Sequence, residues 1–155
     1  MSFRVLGLDP APFVPLAALS DEELVKRGMR RVLADGKPGY PCRVSLDDAE
    51  PGERVLLLGY HHQTARSPYN AGGPIFVRET ARTAYDKTDQ IPFSLRVRPL
   101  SLRAYDDEGL IVDADLTEGG EVERLIRQYL ARDDVSYLHA HYARRGCYAC
   151  RIERA

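Results

Sequence analysis

The C-terminal third of the chain repeats one pattern twice, and this pattern constrains the fold more than any other feature. Apolar residues occupy every second position on both sides of the turn Asp107-Glu108-Gly109, and again on both sides of Arg144-Arg145-Gly146. Such alternation is typical of a half-buried strand, and a three-residue loop ending in glycine favours a hairpin with a bulge. The sequence therefore predicts two β-hairpins, over 100–116 and 137–152.

The turn of the first hairpin sets its expected pairing. Counting outward from Asp107-Glu108-Gly109 pairs Ala104 with Val112 and Leu102 with Ala114 on one face. The same count pairs Arg103 with Asp113 on the other face. Apolar residues then meet apolar residues and a cation meets a carboxylate, which makes this register self-consistent.

The second hairpin brings chemically active side chains together. Its expected pairs are Tyr142 with Tyr148, Ala140 with Cys150 and Leu138 with Ile152, which together form a largely apolar face. The opposite, polar face then carries His139, His141, Cys147, Ala149 and Arg151.

Two helices have clear signals. Ser20 and Glu23 form a capping box, and Gly28 can supply a left-handed stop, which predicts a helix over about 20–28. Between the hairpins, a helix over about 118–131 gains an apolar stripe. That stripe consists of Val122, Leu125, Ile126, Tyr129 and Leu130. Residues 93–98 fit either a strand or a helical turn.

Further short strands are expected over 3–8, 30–34, 42–46, 55–58 and 75–78, whereas 85–90 has the composition of a polar loop. The predicted fold class is α+β, with a mainly antiparallel or mixed sheet of about 7–8 short strands and two helices. A chain of 155 residues fits a single domain, 1–155.

Composition excludes several classes of function. The net charge of −1 argues against a nucleic-acid partner, which requires a basic surface. The chain has no apolar run long enough to span a membrane, and its N-terminus lacks the features of a secretory signal. Three cysteines make an odd, low count that argues against a disulfide framework, so we expect a cytoplasmic protein.

The Cys147-x-x-Cys150 spacing resembles a redox or zinc motif. A redox pair needs a helix N-terminus to activate the thiol, and too few residues follow Cys150 to form one. On a strand, residues three apart point to opposite faces, and no second cysteine pair completes a zinc site. We therefore expect Cys150 to be a small core residue.

The polar face of the second hairpin is the expected functional site. His139 and His141 alternate on one strand and project side by side, with Cys147 lying diagonally across from His141. We expect a small-ligand site that can be catalytic, with His141 as base or hydrogen-bond partner and Cys147 as nucleophile or hydrogen-bond donor. His139 would bind the ligand, and Arg43 or Arg103 would clamp an anionic small molecule. No motif implies a cofactor.

Two other functions remain open. A sheet of short strands can dimerise through an edge or an exposed face, which would make the chain a non-enzymatic homodimeric interaction module. Alternatively, His139, His141 and Cys147 could bind a metal with a fourth ligand such as His61 or His62. Because adjacent residues on a strand point in opposite directions, at most one of His61 and His62 can join such a site.

Four stretches of the chain resemble a known family. They are 41–46 (PCRVSL), 73–78 (GPIFVR), 102–106 (LRAYD) and 145–149 (RGCYA). Together they resemble a bacterial family described only as domain of unknown function 1203, over essentially the whole chain. The resemblance implies no activity, cofactor or catalytic residue.

Overall fold

The computed structural model describes residues 1–155 and contains nine strands and four α-helices. In chain order these elements are β1 (Phe3–Leu6), α1 (Val14–Ala17), α2 (Asp21–Lys26), β2 (Arg30–Leu33), β3 (Arg54–Gln63), β4 (Ala71–Arg78), β5 (Asp86–Thr88), α3 (Phe93–Arg96), β6 (Pro99–Tyr105), β7 (Ile111–Glu118), a 3-10 turn (Gly119–Glu121), α4 (Val122–Leu130), β8 (Tyr137–Tyr142) and β9 (Tyr148–Arg154).

The strands form two antiparallel sheets. The large sheet has six strands in the order β5-β1-β9-β8-β6-β7, and the small sheet has three in the order β2-β3-β4. Every strand pair within both sheets is antiparallel. The α+β class is confirmed, while the strands number nine rather than seven or eight and are divided between two sheets.

Helix α4 covers one face of the large sheet. The predicted stripe is confirmed, because Val122, Leu125, Ile126, Tyr129 and Leu130 are all buried in the largest apolar cluster. Alternate residues of β6, β8 and β9 supply the other side of that cluster. Their remaining side chains, His139 and His141 among them, therefore point away from α4.

The N-terminal helix signals are also confirmed. Ser20 and Glu23 exchange side-chain to backbone hydrogen bonds at the start of α2, and Gly28 has a φ of 76° beyond its end. The helices are shorter than predicted, and there are two more of them. Residues 93–96 are helical, which resolves the ambiguity of that segment.

Two predicted local structures are wrong. Residues 42–46 form a turn rather than a strand, with the amide of Leu46 donating to the carbonyl of Cys42. Both the apolar residues of this segment and Arg43 are buried, so no alternating face exists. Part of the predicted polar loop 85–90 instead forms β5 at the edge of the large sheet.

The predicted register of the first hairpin is wrong by one residue. Ala104 pairs with Asp113 and Arg103 with Ala114, because a bulge lies between Ala104 and Tyr105 in the pairing. The shift turns Asp113 toward α4, where Arg132 Nη1 binds its carboxylate at 2.5 Å. Asp113 thus forms its ion pair with Arg132, which follows α4, and not with Arg103 across the strands.

The second hairpin begins in the predicted register and then leaves it. Leu138 pairs with Ile152 and Ala140 with Cys150, as expected, but His141 rather than Tyr142 lies opposite Tyr148. Ala149 is the extra residue of this bulge. As a result Tyr148, predicted on the apolar face, lies on the same face as the histidines.

No helix of the structure has the length and apolar character that a membrane span requires.

Candidate metal centre

Strand β8 places two histidines at the middle of the large sheet, on the face away from α4. His139 lies between Arg103 of β6 and Arg151 of β9. His141 lies between Ser101 of β6 and Tyr148 of β9. Both imidazoles are almost fully buried, with 3% and 1% of their surfaces exposed.

A third histidine reaches this face from the small sheet. His62 lies near the end of β3, where the β3–β4 register shifts between Tyr60 and Gln63. Its ring centroid is 5.1 Å from that of His141 and 6.2 Å from that of His139. It also stacks on Tyr148, with centroids 5.0 Å apart and an interplanar angle of 2°.

The neighbouring His61 faces outward. Its Nε2 is 2.8 Å from Oδ1 of Asn70, and its side chain is exposed. The structure therefore brings three of the four histidines of the chain together and excludes the fourth.

Each of the three rings has a buried nitrogen without a hydrogen-bond partner. These atoms are His62 Nδ1, His139 Nδ1 and His141 Nε2. Within the trio, one nitrogen of each ring lies within 4.8 Å of the others. Buried polar atoms are nearly always hydrogen-bonded in folded proteins, so three unpartnered nitrogens within one cluster of rings require a physical reason.

One hydrogen bond determines the orientation of His141. Its Nδ1 is 2.9 Å from the backbone oxygen of Gly146, in the turn of the same hairpin. A carbonyl oxygen can only accept, so Nδ1 carries the proton and Nε2 keeps its lone pair. A hydrogen bond of this kind holds many metal-binding histidines in the required tautomer.

The surroundings keep these imidazoles neutral. Burial, together with the nearby rings and arginines, lowers the pKa of His139 to about 3. Burial also lowers the pKa of His141, to about 4, although the hydrogen bond to Gly146 opposes the shift. The pKa of His62 is lowered as well, first by burial and then by Arg103. Neutral imidazoles have the free lone pairs that metal coordination requires.

The charged residues that shift the pKa values of the cluster are all positive. Arg103 lowers the pKa of all three histidines, Arg151 that of His139 and Arg43 that of His141. No carboxylate contributes to the pKa shift of any of the three rings.

Cys147 is not part of this cluster. Because of the bulge, Tyr148 rather than Cys147 lies on the histidine face. The sulfur of Cys147 lies 4.0 Å from the carbonyl oxygen of Arg145. The sulfur forms no hydrogen bond with His141, whose Nδ1 is occupied by Gly146. Cys150 lies in the core as predicted, where burial raises its pKa to about 12.

The two predicted anion-binding arginines have different environments. Arg43 is buried, and it donates from Nε to the carbonyl of Tyr148 at 2.8 Å and from Nη1 to that of Pro41 at 2.6 Å. These bonds connect the 39–48 loop to β9 next to the histidines. Arg103 is directly opposite His139 and partly exposed.

The sequence left open whether His61 or His62 would be the fourth ligand of a metal site with His139, His141 and Cys147. The signal was a histidine pair at the end of an apolar strand. Which of the two faces the hairpin depends on how the small sheet packs on the large one, and no local pattern contains that information.

Comparison with known proteins identifies a family. No curated protein and no solved structure is significantly similar to the chain. A family model described as "protein of unknown function (DUF1203)" matches residues 39–154. This range includes all of the residues of the candidate metal centre. The chain therefore belongs to the DUF1203 family.

Proposed function

We propose that this protein binds one first-row transition-metal ion, most favourably Zn²⁺, through His62, His139 and His141. The observation that supports the proposal is a cluster of three imidazoles in which one nitrogen of each ring lies within 4.8 Å of the others and each ring has a buried nitrogen without a hydrogen-bond partner. A cation bound among the rings would give these buried nitrogens a partner. Packing of the rings alone gives them none.

The type of ligand determines the type of metal. Imidazole favours zinc, copper, nickel and iron, whereas magnesium, calcium and manganese favour oxygen ligands. The cluster consists of imidazoles and has no carboxylate beside it, which favours the first group. Three histidines with one open position form a ligand set known from catalytic zinc sites.

Binding requires only a small rearrangement. Nitrogens that share a tetrahedral zinc ion at about 2.0–2.1 Å lie about 3.4 Å apart. The three rings therefore close in from separations of up to 4.8 Å. His62 is the least buried of the three, so its ring is the one with the most freedom to move toward the others. The fourth position then holds water or a small ligand.

Calorimetric titration with Zn²⁺ tests this proposal on protein whose purification tag has been removed. We expect one Zn²⁺ ion per chain. His62→Phe keeps an aromatic ring on Tyr148 but has no nitrogen, so it should weaken binding by about 100-fold or more, since losing even an outer partner of a metal ligand costs 10–100-fold.

The matched control is His61→Ala, which changes the adjacent, outward-facing histidine and should leave the affinity for Zn²⁺ unchanged. Circular dichroism verifies that each variant is folded. Wild-type protein that binds no Zn²⁺, or equal affinities for the two variants, would overturn the proposal.

A further inference from the structure

The face of the large sheet that carries the histidines is buried at β8 and exposed at the edge strand β7. On the large sheet, Ser101 and Arg103 of β6 stand between the buried histidines of β8 and the edge strand β7. Leu116 pairs with Ser101 and Ala114 pairs with Arg103, so both project from the same face as the histidines. Leu116 is 70% exposed and Ala114 is exposed too. The β3–β4 segment covers Tyr105 of β6, so the accessible part of this face is a ledge at the β7 edge made of Arg103, Ala114 and Leu116.

The arginine on this ledge has no counter-ion. Arg151, on the far side of His139, binds Glu153 at 3.0 Å and lies over the ring of Tyr137. Arg103 is equally close to His139 along the sheet, yet it takes part in no ion pair with any carboxylate of the chain. It is a partly buried cation on the strand next to His139, at the accessible edge of this face.

The charge balance around a bound metal favours an anion. A dication held by three neutral imidazoles keeps its full charge, and Arg103 adds another positive charge on the open side. An anionic fourth ligand neutralises part of both charges, and the guanidinium can donate two parallel hydrogen bonds to its oxygens.

We infer that the open position of the metal binds a small oxyanion, a carboxylate or a phosphate, whose second oxygen is held by Arg103. This inference rests on the metal site proposed above. One oxygen coordinates the metal, the guanidinium of Arg103 binds another, and the remainder of the ligand lies over Ala114 and Leu116. Arg103 is thus the residue that selects anionic ligands over neutral ones.

Cobalt substitution tests the inference, because the visible absorption of Co²⁺ changes when its ligands change. Acetate and inorganic phosphate are titrated separately into Co²⁺-loaded protein, which distinguishes the two kinds of oxyanion. We expect the spectrum of wild-type protein to change and to saturate with at least one of them. Arg103→Gln should weaken that anion by about tenfold or more, consistent with the loss of a charged hydrogen-bond donor.

The matched control is Arg151→Gln, which removes a positive charge from the opposite neighbour of His139. It should change the affinity for the anion less than Arg103→Gln does, and both variants should still bind Co²⁺. If Co²⁺ binds but neither anion changes the spectrum, or if the two variants respond alike, the inference fails while the metal site stands. If wild-type protein does not bind Co²⁺, the metal site fails and this inference fails with it.

Discussion

Cys147 and Cys150 lie three residues apart and have opposite environments. Cys150 is 1% exposed, and burial raises its pKa to about 12, so its reactive thiolate is scarce at neutral pH. Cys42 is also fully buried. Cys147 follows the turn of the second hairpin and is the only partly exposed cysteine of the three.

We therefore expect one of the three thiols to react in the native protein. A thiol reagent such as iodoacetamide should label Cys147 within minutes and leave Cys42 and Cys150 unlabelled until the protein is denatured. Mass spectrometry of digested protein identifies the labelled site. Cys147→Ser should abolish native labelling, and rapid native labelling of Cys150 would contradict the environment described here.

The sequence predicted some residues of the site and not others, for a definite reason. Side chains alternate between the two faces of a strand, and the local sequence is enough to show this alternation. It predicts that Cys150 is in the core and that His139 and His141 lie side by side. The exclusion of Cys147 follows from a single bulged residue, Ala149. That bulge lets Tyr148 stack on His62, a contact between two sheets that no stretch of β9 can predict.

The junction between α3 and α4 depends on one glycine. Gly119 starts the 3-10 turn that leads into α4 and packs against the backbone of α3. A Cβ atom at Gly119 would lie 1.9 Å from the carbonyl oxygen of Leu95 and 2.7 Å from that of Arg96. Backbone atoms cannot rotate away as a flexible side chain can, so only glycine permits this approach.

Gly119→Ala should consequently reduce the free energy of unfolding by about 2–3 kcal/mol, as other overpacking substitutions do. Gly120 is the matched control, because it is exposed and a Cβ there would have nothing within 4 Å. Gly120→Ala should change stability by no more than about 0.5 kcal/mol. Urea denaturation measures both, and similar losses for the two variants would contradict the close packing at Gly119.

At this scale the sequence predicts the existence of elements better than their pairing. The capping box at Ser20 and the stripe of α4 were read correctly because each lies within one turn or one helix. The register of the first hairpin and the Tyr148 pair of the second were predicted wrongly, because Asp113 turns to meet Arg132 and Tyr148 turns to meet His62. Each bulge satisfies a partner from another element, and these partners lie outside the hairpin itself.

At the scale of the whole molecule, the candidate metal centre lies between the two sheets. His62 belongs to the small sheet, and His139 and His141 belong to the large one. In the metal-free protein the packing of these sheets keeps the imidazoles dry and neutral. Protonating them in place would bury positive charge beside Arg103, so the contact between the sheets is sensitive to acid.

The sign of this effect follows from the pKa values. In the unfolded chain a histidine has a pKa of about 6.5, whereas in the folded protein those of His139 and His141 are about 3 and about 4. Between these values the unfolded state binds more protons, so the free energy of unfolding falls as the pH falls. The full stability is present above about pH 6.5, and the loss continues down through the folded pKa values.

We expect the metal-free protein, kept in a chelator, to lose about 2 kcal/mol of unfolding free energy between pH 6 and pH 5, since each histidine contributes at most about 1.4 kcal/mol per pH unit. Asp and Glu side chains contribute little there, because their unfolded pKa values are about 3.9–4.3. His139→Phe keeps an aromatic ring beside Tyr105 and Tyr148 and removes one titrating group. It should reduce the slope of unfolding free energy against pH by about half. The control His61→Ala should preserve that slope. Urea denaturation at each pH gives these slopes. A wild-type slope near zero, or one unaffected by His139→Phe, would show that the rings are solvated rather than held dry between the sheets.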